Sequence, residues 1–153
     1  MHKYATIAME YKVVTAADLP TYLQKNEIAN FLAEHLDEFG DSKHDIMKCL
    51  DYALSSYGHQ GGFVLLAKED EEIAGAVVMN QTGMESYIPE NILVYIAVHR
   101  DHRGKGLGKA LMQRAIATAK GSIALHVEPD NPAKKLYEKL GFTNKYLEMR
   151  LHR

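Results

Sequence analysis

The sequence is short of several things at once. It has a single cysteine, Cys49, among 153 residues. No intrachain disulfide can form, which fits a reducing compartment. Cys49 falls on the apolar stripe of an expected helix, so it reads as a small buried hydrophobe before it reads as a nucleophile. No apolar run approaches the ~20 residues needed to cross a bilayer. The opening stretch, MHKYATIAMEYK, lacks the hydrophobic core and cleavage site of a signal peptide. A cytoplasmic protein with no membrane association is expected. An excess of charge of one sign is also missing. The net charge is −2, so no basic field recruits nucleic acid or an acidic membrane. There is no internal repeat and no low-complexity linker. With 46% hydrophobic and 25% charged residues, the chain suits one domain over residues 1–153 with its own core.

What is present is an alternation of extended and helical patterns. MEYKVVTAAD reads as a first strand running to Val14. Asp18 is placed to cap the next helix, with Pro20 in its first turn. Ile28, Phe31, Leu32, Leu36 and Phe39 follow at helical spacing, and Gly40 ends the run. Ser42 and Asp45 suggest a capping box for a second helix, whose apolar face is Ile46, Cys49, Leu50, Ala53 and Tyr57. FVLLAKEDEEIAGAVVMNQ predicts an antiparallel hairpin around an acidic turn. NILVYIAV, rich in β-branched residues, predicts a strand buried on both faces. A helix is expected from about Leu107 to Ala119, ended by Gly121, and then a strand over SIALHVEP. Asn131 caps a short helix with Pro132 at its first position, stopped by Gly141. FTNKYLEMRLHR returns as one or two strands. The order β-α-α-β-β-β-α-β-α-β(-β) is that of a mixed α/β (α+β) sheet flanked by helices, not a doubly wound one.

The chemistry concentrates in HRDHRGKGLGKALM, residues 99–112, between a strand and a helix. A P-loop needs a serine or threonine after the lysine of G-x-x-x-x-G-K. Gly106 follows Lys105 and Ala110 follows Lys109, so none is present. A dinucleotide fingerprint needs a third glycine where the chain has Lys109. What remains is Arg103-Gly104-Lys105-Gly106-Leu107-Gly108, an R-x-x-G-x-G pattern. A helix N-terminus presents free N–H groups and partial positive charge to an anion. Glycines let phosphates approach the main chain, and Arg103, Lys105 and Lys109 add charge. The pattern suits a pyrophosphate, that of coenzyme A.

YIAVHRDHRGKGLGKALM resembles the central acetyl-CoA motif of the GNAT superfamily of N-acetyltransferases. LHVEPDNPAKKLYEKLGF resembles its second motif, with Asn131, Tyr137 and the closing Leu-Gly-Phe in place. Together the two blocks cover about a third of the chain, and the element order matches the family fold, a mostly antiparallel sheet flanked by helices. The resemblance implies that Ile96, Ala97 and Val98 pair with the pantetheine arm. It implies that the main-chain N–H of Val98 polarises the thioester carbonyl, and that loop amides from Arg103 to Gly108, with Lys109, hold the pyrophosphate. Asn131 matches a residue that contacts the cofactor arm, and it also reads as an N-cap. Tyr137 matches the tyrosine that protonates the leaving thiolate, a role open to a phenol with pKa ~10. It also lies on a normal buried face with Ala133, Leu136 and Leu140.

The general base is less well marked. Family members place a glutamate where this chain has Val94 or Ile92. Glu90 lies two residues earlier and would share their face in an unbroken strand. It is a candidate base, acting through water, or a residue capping the strand end. Glu85, Tyr87 and His126 are weaker candidates. EHLDEFGDSKHD holds His35, Asp37, Asp41, His44 and Asp45, but at no metal-motif spacing, so no metal is expected. By position, the acidic residues Glu34, Asp37 and Glu38 are suited to attract a cationic amine. The expected activity is acetyl-CoA-dependent N-acetyl transfer to a primary amine by direct attack in a ternary complex, with a small molecule favoured as acceptor. The alternative is a non-catalytic acyl-CoA-binding or regulatory module. A homodimer is an expectation by family analogy only.

Overall fold

The computed structural model describes residues 9–153. Five strands, β1 (Glu10–Val14), β2 (Gly62–Glu69), β3 (Glu72–Gln81), β4 (Asn91–Val98) and β5 (Ile123–Leu125), form one sheet in chain order. The pairs β1–β2, β2–β3 and β3–β4 are antiparallel. Only β4–β5 is parallel. The helices α1 (Tyr22–His35), α2 (Lys43–Ala53), α3 (Leu107–Thr118) and α4 (Ala133–Lys139) divide between the two faces. None of them is long and apolar enough to cross a membrane.

Strand alternation builds two cores, one on each face. Val64, Leu66, Val78, Tyr95 and Ala97 pack with Ile28, Leu32, Ile46 and Leu50 of α1 and α2. Leu65, Val77, Met79 and Leu93 pack with Leu111, Met112 and Ala115 of α3 and Tyr137 of α4. Leu32, Ile46, Leu50, Leu65, Leu111 and Met112 are essentially sealed from solvent. Each such side chain contributes roughly 1.5–3 kcal/mol by leaving water.

Most expected elements are present, with shifted ends. α1 is capped by Thr21 and not by Asp18. Gln24 N–H donates to Thr21 Oγ1 at 3.1 Å and Thr21 N–H donates to Gln24 Oε1 at 2.8 Å, a reciprocal capping box. Asp18 instead accepts from Thr15 N–H at 2.8 Å around a separate 3-10 turn. Pro20 explains the break, because it disfavours helical geometry at Leu19, which sits at φ 50°. α1 stops at His35, and Asp37–Phe39 form another 3-10 turn. Ser42 caps α2 by accepting from Asp45 N–H at 3.2 Å. α2 ends before Tyr57, which is exposed. The β2–β3 hairpin turns through Asp70 and Glu71, both at positive φ, the backbone of a type I′ turn that matches strand twist.

β4 packs on both faces as expected, with Tyr95 and Ala97 in one core and Leu93 in the other. Two expectations fail beyond it. β5 is three residues long, because it pairs with β4 only from Asn91 to Leu93. The last strand or strands expected in FTNKYLEMRLHR do not form. Residues 143–153 carry no regular structure, and Tyr146, Leu147, Met149 and Leu151 are exposed. Alternation makes a segment fit for pairing, but pairing needs a partner edge.

Candidate active site

The site begins with a bulge. Val78 pairs with Tyr95 but Met79 pairs with Leu93, so Val94 is an extra residue in β4. Val94 and Tyr95 therefore both pack on the α1–α2 side, whereas Leu93, Ile96 and Val98 pack on the α3–α4 side. Past Leu93, β4 and β5 part. The gap opens into a cleft of about 310 Å³ between the two halves of the fold. Its walls are Leu93–Val98 of β4, Leu125 at the end of β5 and His126 just after it, Asn131–Ala133 and Tyr137 around α4, and His35–Asp37 with Phe39 from the end of α1.

The parted edge carries free backbone groups. His99 N–H donates to Ala74 O at 2.8 Å, so His99 faces β3. Amides alternate sides along a strand, so the N–H groups of Ile96 and Val98 face the opposite edge, where β5 no longer pairs. Beyond Val98 a 3-10 turn (Arg100–His102) leads to the glycine loop. Gly104 and Gly106 have φ 77° and 84°, and a Cβ on either would meet nothing within 4 Å. Left-handed backbone here needs glycine, and the surrounding space is open. Gly106 is the N-cap of α3 and no side chain caps the helix. The first intrahelical bond is Ala110 N–H to Gly106 O, which leaves the amides of Leu107, Gly108 and Lys109 free to meet an anion.

Arg103 is placed differently from its sequence reading. Its Nε donates to Val98 O at 3.0 Å, Nη1 to Asp37 Oδ2 at 2.8 Å, and Nη2 to His35 O at 2.7 Å. The guanidinium ties the end of β4 to the end of α1. Arg100 adds to the tie, with Nη2 donating to Glu34 O at 2.7 Å and to Asp37 Oδ1 at 3.0 Å. The two guanidiniums hold the Asp37 carboxyl below the usual carboxylate range. The C-terminal carbonyls of α1 are natural acceptors for these cations. His35 is buried against the His99 ring at 4.2 Å between centroids. Burial first, and the charge of His99 second, lower its pKa.

Tyr137 is brought to the cleft. It is 7% exposed, with its ring edge-on to Phe142. Burial alone raises its pKa, so the phenol keeps its proton. Asn131 Oδ1 accepts from Ala133 N–H at 2.9 Å, which bears on its capping reading. The cap holds Asn131 at the cleft wall.

Glu90 is not brought there. It precedes β4, and its Oε1 accepts from Ser122 N–H at 2.7 Å while Oε2 accepts from Ser86 N–H at 3.0 Å. These two amides lower its pKa, which opposes a base poised near neutrality. The reason is its place: Glu90 lies at the end of β4 that is still paired with β5, and not where the two strands part. Glu85 and Tyr87 are exposed on the same loop, and only His126 of the weaker candidates lines the cleft.

Two residues that sequence reasoning passed over organise this end of the sheet. Asn91, 2% exposed, donates from Nδ2 to Lys120 O at 2.7 Å and fastens β4 to the start of β5. Tyr95 donates to Asp41 Oδ2 at 2.5 Å from beneath the α1–α2 turn. Burial and the Asp41 carboxylate raise the Tyr95 pKa well above the usual phenol range. A buried asparagine at a strand start was the only legible signal for the first. The Tyr95–Asp41 pair spans distant parts of the chain and left no signal. Burial pushes the Cys49 thiol up to about 11, which keeps it unreactive. No three metal-ligating side chains converge among the described residues.

The sequence and the fold have counterparts in known proteins. The profile of the Acetyltransferase (GNAT) family matches residues 22–142. A 5-NmdU N-acetyltransferase of Pseudomonas phage PaMx11 is 31% identical over 91 residues, which are 58% of this chain and 63% of that protein. The chain thus spans less than two thirds of this relative's length. The ribosomal-protein-alanine N-acetyltransferase of Brucella melitensis biovar Abortus 2308 has a TM-score of 0.62 at 22% identity, covering 95% of this chain and 99% of that one. An aminoglycoside acetyltransferase from an uncultured soil metagenomic sample has a TM-score of 0.63 at 18% identity, covering 95% and 99%. At such identities the two structures speak for the fold, and the sequence profile speaks for the family. With four-fifths of its length matched by that profile, the chain belongs to the GNAT acetyltransferase family.

Proposed function

We propose that the protein is an acetyl-CoA-dependent N-acetyltransferase that acts on a primary amine of a small molecule. The observation that carries this reading is the parted β4 edge. It sets the free Val98 amide beside an uncapped helix N-terminus on one side and the buried, protonated Tyr137 on the other. Acetyl-CoA fits these residues. The free amides of α3 suit its pyrophosphate, and the backbone of Ile96, Ala97 and Val98 offers its amide-rich arm a strand-like edge. Gly104, Lys105 and Gly106 give the phosphates room and charge, with Leu107, Gly108 and Lys109 supplying N–H donors.

When bound, the cosubstrate supplies an activated acetyl thioester. The Val98 N–H is oriented to donate to the carbonyl oxygen as negative charge grows there, the preorganised stabilisation that acyl transfer requires. Arg103 holds the Val98 carbonyl and so fixes that end of the strand. Tyr137 donates its phenolic proton to the leaving sulfur. Asn131 keeps α4 and hence Tyr137 at the cleft wall. His126 is the titratable side chain best placed to take the amine's proton, and a free amine arriving from solvent needs none.

The amine as acceptor is supported by a relative named for N-acetylation of 5-NmdU. A cleft of this volume suits a small acceptor over a folded one. The reading is tested by incubating purified protein with acetyl-CoA and a broad pool of primary amines and reading products by mass spectrometry. An acetylated amine is expected. Tight acetyl-CoA binding without turnover is the result that favours a non-catalytic acyl-CoA-binding module. The absence of a β4 carboxylate in the cleft gives that second reading its support.

A further inference from the structure

Residues 35–41, which lead from α1 to α2, are fastened to β4 at both ends. At the first end Arg100 and Arg103 hold Glu34 O, His35 O and the Asp37 carboxylate. At the second, the Tyr95 hydroxyl donates to Asp41 Oδ2 at 2.5 Å. Between the two fastenings lie Leu36 and Phe39, which line the cleft with His35 and Asp37. Gly40 lets the segment close on itself, since a Cβ there would come within 2.7 Å of Leu36 Cβ.

The second fastening differs in kind from the first. The arginines are exposed, whereas Tyr95 is 7% exposed and reaches Asp41 from within the sheet. The bulge sets Val94 and Tyr95 on the same face, the α1–α2 side. Burial and the Asp41 carboxylate keep the proton on the phenol, so Tyr95 is the donor and Asp41 the acceptor. A hydrogen bond to a carboxylate is stronger than one between neutral groups. Tyr95 itself also lines the cleft. Tyr137 and the uncapped end of α3 belong to the other side of the sheet, the side given above to acetyl-CoA. The wall on the α1–α2 side is left to meet the amine.

We propose that Tyr95 is a positioning residue for acceptor choice: its hydrogen bond to Asp41 fixes the wall of residues 35–41 against which the amine is held. This role rests on the N-acetyltransferase reading. Tyr95 acts through Leu36 and Phe39, not on the reacting atoms. A wall held at both ends selects by shape, because side chains that cannot yield turn away what does not fit and orient what does. Freed at Asp41, the wall yields, and the amine that fits best loses most.

The test compares the full chain with Tyr95→Phe, Asp41→Ala and Asp41→Asn, on the amines that the wild type acetylates, with circular dichroism to show that each variant is folded. Tyr95→Phe removes the donor and keeps the ring. Asp41→Ala removes the acceptor, and Asp41→Asn keeps an acceptor oxygen. For the first two, the acceptor KM is expected to rise about tenfold, the scale of one lost hydrogen bond to a charged group, and by more than kcat falls. The spread of kcat/KM across the amines is expected to narrow, with acetyl-CoA affinity by calorimetry within about twofold of the wild type. Asp41→Asn is expected to keep most of the selectivity. The double variant of Tyr95→Phe and Asp41→Ala is expected to be no worse than either alone, since both break one bond. Hydrogen exchange read by mass spectrometry is expected to quicken over residues 35–41 in the same two variants. A lower melting temperature with acceptor KM and selectivity unchanged overturns the proposal. So does exchange over 35–41 that stays as in the wild type, and so does Asp41→Asn as impaired as Asp41→Ala. A wild type that acetylates no amine overturns the N-acetyltransferase reading and this role with it, and that failure is seen before any variant is compared.

Discussion

Arg103 meets Asp37 at 2.8 Å across the mouth of the cleft, and the same guanidinium holds the Val98 carbonyl. One side chain thus connects the end of α1, the end of β4 and the glycine loop. In sequence, Arg103 looks like the cation of an anion-binding loop. In the fold it braces the strand end whose amide faces the parted edge.

The Asp37 tie has a pH signature. Its folded pKa is depressed by Arg103 first and Arg100 second. Its contribution to stability is therefore complete above the unfolded value of about 3.9 and is lost as pH falls through the lower folded value. Asp37→Asn removes the charge while keeping a residue type that tolerates the φ of 54° found there. The variant is expected to melt below the wild type at neutral pH, with the gap closing below about pH 4. Thermal melts across pH check this, and a gap that does not vary with pH would show that the ion pair is not its source.

Tyr137→Phe keeps the ring against Phe142 and removes one oxygen. Turnover is expected to fall by about 10²-fold or more, the usual scale of acid catalysis, with acetyl-CoA affinity by calorimetry little changed. An unaltered turnover would remove Tyr137 from the chemistry. Because burial raises its pKa, Tyr137 should contribute no loss of activity on the alkaline side until above about pH 10.

Glu90→Gln separates bracing from proton transfer. The carboxylate accepts from Ser122 and Ser86 amides, and a glutamine has one acceptor oxygen in place of two. The melting temperature is expected to fall, while the pH dependence of turnover keeps its shape. Loss of the acidic limb of that profile would instead make Glu90 the base.

Gly106→Ala tests the anion site. The added methyl meets nothing in the free protein, but the φ of 84° costs an L-residue roughly 1–2 kcal/mol, and the methyl enters the space a phosphate would approach. Coenzyme A affinity by calorimetry is expected to drop by tenfold or more, roughly 1.4 kcal/mol per factor of ten. If affinity holds while stability falls, the phosphates lie elsewhere.

Local order is what the sequence determined by itself. Helical spacing in Ile28, Phe31 and Leu32, the acidic turn at Asp70 and Glu71, and the Asn131 cap are all decided by neighbours a few residues apart. The R-x-x-G-x-G pattern was legible for the same reason, since a glycine loop and the helix it opens are contiguous. What the tertiary structure decided is whatever depends on a distant partner. The bulge at Val94 arises only when β3 lies beside β4, and it puts Val94 and Tyr95 on the same face of the sheet. Arg103 found Asp37 across 66 residues of chain. The last segment alternates as a strand should, and nothing in its own residues could say that no strand among the described residues lies beside it. Backbone preference is a property of the segment, whereas pairing is a property of the space around it.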